Sequence, residues 1–313
     1  MNLMNNEDQS IYRIKDLKKS YRKKEVLKNI NLEIKRGEII TVIGKNGAGK
    51  STLLKTMMGL ISYDSGSIKF NNKEVSSYGH NLYKDLGVIL EGQNNLYNYI
   101  SAMDNLYYYG GLLGLKKSEI KEKGGSLLKE LDLYEHRNKK AGDLSTGMKQ
   151  KLGIGVALLG TPKVLFLDEP TLGLDLISTK ELIKKLKGLS KNHNISIILT
   201  SHEVSTVDEV SDRIAYLNNG EIEFCAHIDE FKKKFAKSKK VISVKGALKD
   251  EKEFISLKQS YLNEITKIYI DEKSDSNEIL TDLIKHKYEI LDFSLTQNEL
   301  ENAIINLSKG ESK

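Results

Sequence analysis

A glycine-rich segment between a strand-like run and a helix-like run constrains this chain more than any other feature of its sequence. The segment reads Gly44-Lys-Asn-Gly-Ala-Gly-Lys50-Ser51-Thr52 and matches the pattern G-x-x-x-x-G-K-[ST]. Residues Ile39–Ile43 before it are mostly β-branched, as in a strand buried on both faces, and apolar residues recur at helical spacing after it. Strand, glycine loop and helix in this order predict an α/β fold with a phosphate-binding loop.

The residue types in this segment fit the chemistry of phosphate binding. Glycines let the backbone curl around a phosphate group so that successive N–H groups point at its oxygens. The Lys50 ammonium would neutralise the β- and γ-phosphates of a nucleotide, and the Ser51 hydroxyl would ligate Mg²⁺. The residues expected to contact the nucleotide here are Gly44, Asn46, Gly47, Ala48, Gly49, Lys50, Ser51 and Thr52.

Two adjacent carboxylates follow a second apolar run. Lys163–Leu167 has the pattern of a buried strand, and Asp168 and Glu169 come directly after it. Open α/β sheets bind their ligands at the carboxyl ends of the strands. We therefore predict that Asp168 holds Mg²⁺ and that Glu169 acts as a general base on an attacking water. Taken alone, the pair could also be a helix N-cap after a strand.

The rest of the pattern predicts an α/β domain followed by a smaller one. Tyrosines and leucines at helical spacing indicate a helical insertion from about residue 94, and a further buried strand is predicted at Ile195–Thr200. Asn218-Asn219-Gly220 has the residues of a hairpin turn. Downstream, an α+β unit is predicted with strands at Val241–Val244, Ile265–Ile270 and Tyr288–Phe293, and helices at Ile279–Ile284 and Leu300–Leu307.

These elements predict how the chain is divided. The α/β domain is expected over residues 11–227, with a helical subdomain at about 94–160. A small accessory α+β domain is expected over residues 228–313.

Composition excludes several classes of protein. Hydrophobic residues make up 39% and charged residues 29% of the 313 residues, which is typical of a folded chain rather than a disordered one. No run approaches the ~18 apolar residues of a membrane span, and the polar N-terminus is not that of a signal peptide. The single cysteine, Cys225, cannot form an internal disulfide, which fits a cytoplasmic protein.

Charge gives little indication of nucleic-acid binding, and we predict no such partner. The net charge of +6 is mild for a chain of this length. The densest lysine run lies within residues 232–240 and could face anionic lipid. Phe231 and Phe235, at i,i+4 spacing, favour instead a solvated helix end whose opposite face is buried.

The segment Asp143-Leu-Ser145-Thr146-Gly147-Met148-Lys149-Gln150 resembles the signature of the ABC ATPase family, normally written L-S-G-G-Q. In that family the loop donates serine and glycine groups to the γ-phosphate held by the opposite subunit, so that two chains enclose two ATP molecules. The resemblance assigns this role to Ser145 and Gly147, and it implies an antiparallel β subdomain beside the α/β core. Thr146 and Met148 depart from the usual pattern in a way that is similar to ATPases of drug and peptide exporters.

Further landmarks follow in the family's order. Tyr21 resembles the aromatic residue that stacks on adenine, and Asp175 resembles part of the loop that crosses to the partner subunit. His202 is similar to the switch histidine that contacts the γ-phosphate. Where the family usually has a glutamine that meets Mg²⁺, the spacing favours Glu91 as the equivalent, and Gln93, two residues later, is left open as the alternative.

The resemblance implies an ATP-binding and hydrolysing subunit, using ATP and Mg²⁺, that powers export of a drug, antibiotic or peptide. Its implied partners are an integral membrane permease and a second ATPase subunit at the cytoplasmic face of the membrane. The ATPase pair is expected to be a homodimer, with a heterodimer left open.

Two other functions are compatible with an ABC-type cassette. One is a soluble ABC ATPase of DNA repair, translation or cofactor assembly, which the short insertion and the single cassette disfavour. The other is a weakly hydrolysing member of a heterodimer, which the intact Glu169 and His202 disfavour. The departures from the family pattern at Thr146, Met148 and Glu91 leave it open.

Overall fold

The computed structural model describes residues 10–22, 24–90, 96–201, 203–235, 240–248, 258–262, 264–270, 275–295 and 300. The chain forms two compact units, which divide between Ile228 and Asp229. The strands of the first unit are β1 (Ser10–Tyr21), β2 (Lys24–Lys35), β3 (Ile39–Ile43), β4 (Ser65–Phe70), β5 (Lys73–Glu74), β6 (Leu86–Ile89), β7 (Val164–Asp168), β8 (Ser196–Thr200), β9 (Arg213–Asn218) and β10 (Glu221–His227). Its helices are α1 (Lys50–Met57), α2 (Ala102–Leu112), α3 (Lys117–Glu130), α4 (Thr146–Leu158), α5 (Leu176–His193) and α6 (Val204–Val210), with short 3-10 turns at Val75–Ser77, Gly79–Lys84, Tyr134–His136 and Ala141–Asp143. Then come α7 (Ile228–Phe235), β11 (Lys240–Lys245), β12 (Lys258–Leu262), β13 (Ile265–Ile270), α8 (Ser276–Lys285) and β14 (Ile290–Leu295).

The central sheet has the strand order β10-β9-β3-β8-β7-β6. Strands β9, β3, β8, β7 and β6 run parallel, and β10 pairs antiparallel with β9 at one edge. The β9–β10 hairpin turns at Asn219 and Gly220, which both have left-handed φ angles of 47° and 85°. The hairpin expected from the Asn-Gly pair is therefore confirmed, because a two-residue turn of this type needs positive φ at both positions.

Every residue of β3, β7 and β8 is buried, because helices or strands cover both faces of the sheet. Successive residues of β7 alternate between two apolar cores: Phe166 lies in one, and Leu165 and Leu167 lie in the other. This alternation explains the uninterrupted apolar runs in the sequence and confirms the α/β class.

The first core is closed by an antiparallel sheet with the order β2-β1-β4-β5. Tyr12 of this sheet packs against Phe70 and Phe166, with ring centroids 5.1 Å and 5.8 Å apart. The antiparallel subdomain implied by the family resemblance is thus present.

Helices α2, α3 and α4 contribute to the second core, together with α5. Close packing of α4 on β6 depends on Gly87, since a Cβ atom there would lie 2.7 Å from the Ala157 carbonyl oxygen. The described part of the predicted helical subdomain contains these three helices, α2, α3 and α4. No helix in the described ranges is both long and apolar enough to cross a membrane.

The second unit contains an antiparallel sheet with the order β12-β13-β11-β14. Leu283 of α8 packs on four residues of this sheet, which are Ile242, Val244, Ile268 and Ile270. Strand β13 has the predicted bounds, whereas β14 begins at Ile290 rather than at the predicted Tyr288, which packs against the core ahead of the strand. Strand β12 was not predicted, because Lys258–Leu262 carries no apolar alternation. Beyond Leu300, the predicted helix over 300–307 lies outside the described residues.

Candidate nucleotide-binding site

A cavity of about 520 Å³ is lined by the loop before α1 and by the carboxyl end of β7. Asp168 and Glu169 line it from β7, and Val26 and Leu172 add apolar surface. Its loop residues are Asn46, Gly47, Gly49, Lys50, Ser51 and Thr52. The structure therefore brings the two predicted groups, phosphate loop and carboxylate pair, to one cavity.

Glycines give the loop its shape. Gly47 and Gly49 have φ angles of 80° and 109°, which side chains with a Cβ adopt only with strain. Gly44 is required for a different reason, since a Cβ atom there would lie 2.1 Å from the Leu217 carbonyl oxygen. Directly after Gly49 the loop enters the N-terminus of α1. The first backbone N–H groups of a helix have no partner within the helix and favour an anion.

The Lys50 ammonium is held inside this loop. Its Nζ donates to the carbonyl oxygens of Gly44, at 2.8 Å, and Lys45, at 3.4 Å. Lys50 is buried although it lines the cavity. A cation is therefore fixed beside the positions that phosphate groups would occupy.

The Thr200 hydroxyl connects the two carboxylate residues at the opposite side. Its Oγ1 donates to Asp168 Oδ1 at 2.5 Å and accepts from the Glu169 backbone N–H at 3.1 Å. Glu169 itself has a left-handed φ of 51°, which is uncommon for a residue other than glycine. Sequence reasoning missed Thr200, because its register with Asp168 on the neighbouring strand is seen only in the folded sheet.

The donor set fits Mg²⁺. The Ser51 hydroxyl and the Asp168 carboxylate both line the cavity, and Mg²⁺ prefers hard oxygen ligands. Within the described ranges no group of three or more His, Cys, Asp and Glu side chains could hold a metal by itself. Mg²⁺ usually binds through one or two protein ligands together with nucleotide phosphates, and Ser51 and Asp168 could supply the protein ligands.

The signature residues lie at a second place, outside this cavity. Ser145 caps α4, its Oγ accepting from the Met148 N–H at 3.3 Å. Asp175 caps α5 by accepting from the Ile177 and Ser178 N–H groups, both at 2.9 Å. These bonds, first of all that from the Ser178 backbone, hold the pKa of Asp175 below its usual value.

Ser178, which the sequence did not single out, joins Asp175 to the signature. Its Oγ donates to Asp175 Oδ2 at 2.7 Å and would lie 3.0 Å from a Cβ atom placed on Gly147. Gly147 therefore allows the signature helix to approach the start of α5. The predicted residues Gly147 and Asp175 therefore lie close together, on either side of Ser178.

Three further predicted residues, Gly44, Ala48 and Tyr21, are not among the described residues that line the cavity. Tyr21 ends β1 with 47% of its surface exposed and with Lys19 Nζ 5.1 Å from its ring centroid. His202, Glu91 and Gln93 lie outside the described residues, so their predicted roles stay predictions.

Comparison with known sequences identifies close relatives. A family model described as "ABC transporter" matches residues 27–172, and one described as "AAA domain, putative AbiEii toxin, Type IV TA system" matches residues 137–208. The lantibiotic transport ATP-binding protein SrtF of Streptococcus pyogenes is 39% identical over 210 residues, covering 67% of this chain and 88% of the relative. The methionine import ATP-binding protein MetN of Clostridium tetani is 32% identical over 294 residues, covering 92% and 88%.

Solved structures of ATP-binding cassettes are similar to this chain in fold. CbiO1 of Clostridium perfringens, described as part of the ABC transporter complex cbiONQ, superposes with a TM-score of 0.67 at 31% identity, covering 71% of this chain and 90% of that one. The cassette MJ0796, solved as a dimer in a post-hydrolysis state with ADP and Pi, gives 0.62 at 26% identity and covers 69% and 98%. The phosphate loop, the carboxylate pair and these relatives together show that the chain belongs to the ABC transporter family, as an ATP-binding subunit with an ABC-type ATPase domain.

Proposed function

We propose that this subunit hydrolyses Mg²⁺-ATP in the cavity beside α1 to power export of a drug, antibiotic or peptide through a separate membrane permease. The observation that carries the hydrolytic part is the placement of Lys50 and Ser51 opposite Asp168 and Glu169 around one cavity. Support for export comes from the signature form and from the similarity to a lantibiotic transport protein. The methionine import relative shows that the same cassette architecture also serves import.

Each side chain of the cavity has a separate task in this proposal. The Lys50 ammonium and the loop N–H groups bind the β- and γ-phosphates, because these are the negative groups that a cation and helix N-terminus attract. Ser51 and Asp168 hold Mg²⁺, which supplies charge neutralisation for the transferred phosphate. Glu169 orients and deprotonates the attacking water. Tyr21 is proposed to contact the adenine.

A second copy of an ATPase subunit is proposed to complete the site. Ser145, Gly147 and Asp175 lie outside the cavity of their own subunit, so they are available to the nucleotide of a partner. Beside Asp175, Leu176 and Ile177 are 81% and 73% exposed. Adjacent exposed apolar side chains of this size favour burial in an interface.

Light scattering of the Glu169→Gln variant is expected to show a dimer with Mg²⁺-ATP and a monomer without it, because trapped ATP links the two subunits. Adding Ile177→Glu should shift the particle towards monomer, since a charge then enters the apolar surface. The matched control is Leu112→Glu, which places the same charge on a side chain that is 69% exposed at the end of α2. A particle that stays monomeric in every condition, including with the permease present, contradicts this arrangement.

The tyrosine-rich surface of the helical insertion is proposed to contact the permease. Tyr97 and Tyr108 pack with ring centroids 4.5 Å apart, and the Tyr97 hydroxyl donates to that of Tyr108 at 2.9 Å. Both remain nearly half exposed, and Tyr99 is 90% exposed. Tyr107 instead packs against the second core, so the rival explanation that the tyrosines only seal the insertion applies to it. Exposed aromatic clusters are favoured at interfaces.

Inside-out membrane vesicles that contain this chain together with its membrane permease are expected to accumulate a labelled lantibiotic when ATP is added. Vesicles lacking the permease should lose both the uptake and the bound chain, because the permease supplies the docking surface. Retention of the chain without the permease, reversed by high salt, would instead indicate attraction of the α7 lysines to anionic lipid. ATP-driven release of substrate from the vesicles would show that the direction is import.

A further inference from the structure

Two sets of side-chain hydrogen bonds, called here the first and the second clasp, join the carboxyl ends of β7 and β8 and the residues that follow them. In the first, Thr200 at the end of β8 bonds both to Asp168 and to the Glu169 backbone. In the second, Glu203 Oε2 accepts from Thr171 Oγ1 at 3.1 Å and from Thr206 Oγ1 at 3.0 Å. The first clasp includes Asp168 and Glu169, which line the cavity, whereas Thr171, Glu203 and Thr206 of the second are not among the described lining residues.

We propose that Thr200 is a positioning residue for the reaction, whose hydroxyl sets the orientation of both the Mg²⁺-binding carboxylate and the general base. This inference rests on the proposed Mg²⁺-ATP chemistry and assigns to it a residue outside the phosphate loop and the carboxylate pair. Thr200 acts through Asp168 and Glu169 rather than on the nucleotide.

The hydrogen bond to Asp168 has a direct effect on metal ligation. Thr200 is fully buried and Asp168 is 6% exposed, so the bond is shielded from water. The hydroxyl engages Oδ1 and so fixes the orientation of the carboxylate that would ligate the metal. Hydrogen-bond partners of metal ligands orient them in this way, and their loss typically weakens metal binding about 10- to 100-fold.

The bond from Glu169 fixes the base at the backbone rather than at the side chain. A left-handed φ of 51° at a glutamate persists only where surrounding contacts hold it. The Thr200 oxygen accepts the Glu169 N–H at 3.1 Å and so provides such a contact. Because the two bonds share one oxygen atom, movement of the hydroxyl would displace the carboxylate and the base together.

The alternative is that Thr200 only stabilises the fold, as a satisfied buried hydroxyl. The variants Thr200→Val and Thr200→Ser separate the two roles, since valine keeps the volume and loses the hydrogen bonds, whereas serine keeps the hydroxyl. The matched control is Thr206→Val, which removes a buried hydroxyl from the second clasp. Thermal unfolding of each variant reports the structural contribution.

Mn²⁺ binding in the presence of a non-hydrolysable ATP analogue, followed by electron paramagnetic resonance, is the deciding measurement. Thr200→Val is expected to weaken Mn²⁺ about 10- to 100-fold and to lower kcat by a similar factor, with little change in ATP affinity without metal. Thr200→Ser should restore most of both, and Thr206→Val should change neither. If Thr200→Val is too unstable to purify, Thr200→Ala is measured below its unfolding temperature.

Wild-type Mn²⁺ affinity and kcat in folded Thr200→Val would overturn the proposal, and so would a Thr206→Val variant that loses as much. Failure of the underlying function gives a different result. In that case the wild-type protein would itself show no hydrolysis of Mg²⁺-ATP, or hydrolysis would persist in Glu169→Gln.

Discussion

Glu169→Gln is expected to retain ATP binding while turnover falls by about 10²–10⁴-fold, the usual contribution of a general base. Glutamine has the shape of glutamate, so it leaves the cavity formed by Ser51 and Asp168 in place, but it cannot accept a proton from water. Phosphate release under saturating Mg²⁺-ATP measures the loss, and equilibrium titration with a fluorescent ATP analogue measures the retained binding.

The control for this variant is Glu209→Gln, which removes a carboxylate from an exposed position on α6. Its turnover should equal that of the wild type. Near-normal phosphate release from Glu169→Gln would remove Glu169 from the chemistry.

Lys50→Ala is expected to weaken ATP binding by about 10²–10⁴-fold, because two charge-assisted contacts to the β- and γ-phosphates are lost at ~1.5–3 kcal/mol each. The same substitution also removes the bonds from Nζ to the Gly44 and Lys45 carbonyl oxygens. Collapse of the loop would therefore also lower ATP affinity, as the loss of a phosphate contact does.

AMP separates these two explanations, since it lacks the phosphates that Lys50 faces. If the ammonium acts on the β- and γ-phosphates, Lys50→Ala is expected to lower ATP affinity and to leave AMP affinity unchanged. A collapsed loop would lower both. Lys55→Ala, at an exposed position on the last turn of α1, is the matched control and should leave both affinities unchanged. Unchanged ATP binding by Lys50→Ala would show that nucleotide binds elsewhere.

Sequence spacing predicted the parts of the site that lie on single continuous segments. The phosphate loop was recognisable because backbone geometry requires glycine at Gly47 and Gly49, which both have positive φ. The carboxylate pair was recognisable because an apolar strand leads directly to it. In such segments, residues close together in sequence determine both the backbone conformation and the position of the functional side chains.

Contacts between distant segments were not predictable in this way. Thr200 meets Asp168 because β7 and β8 are neighbours in register, and Ser178 approaches Gly147 because α4 and α5 pack together. A hydroxyl residue at a strand end or in a first helical turn has many local explanations. Only the tertiary arrangement shows that Thr200 and Ser178, rather than other hydroxyl residues, contact functional segments. The polar strand β12 was missed for a related reason, since its place in the sheet comes from its pairing with β13.

The core beneath β7 belongs to two parts of the chain at once. Leu106 of α2 and Leu128 of α3 lie in the same apolar cluster as Leu165 and Leu167 of the sheet. Excising the insertion would therefore expose the underside of the sheet to water, and a foreign insertion would meet side chains shaped for another partner. Recombination between related genes should for this reason be tolerated when the insertion is inherited together with its own β6 and β7, and selected against when it is transferred by itself.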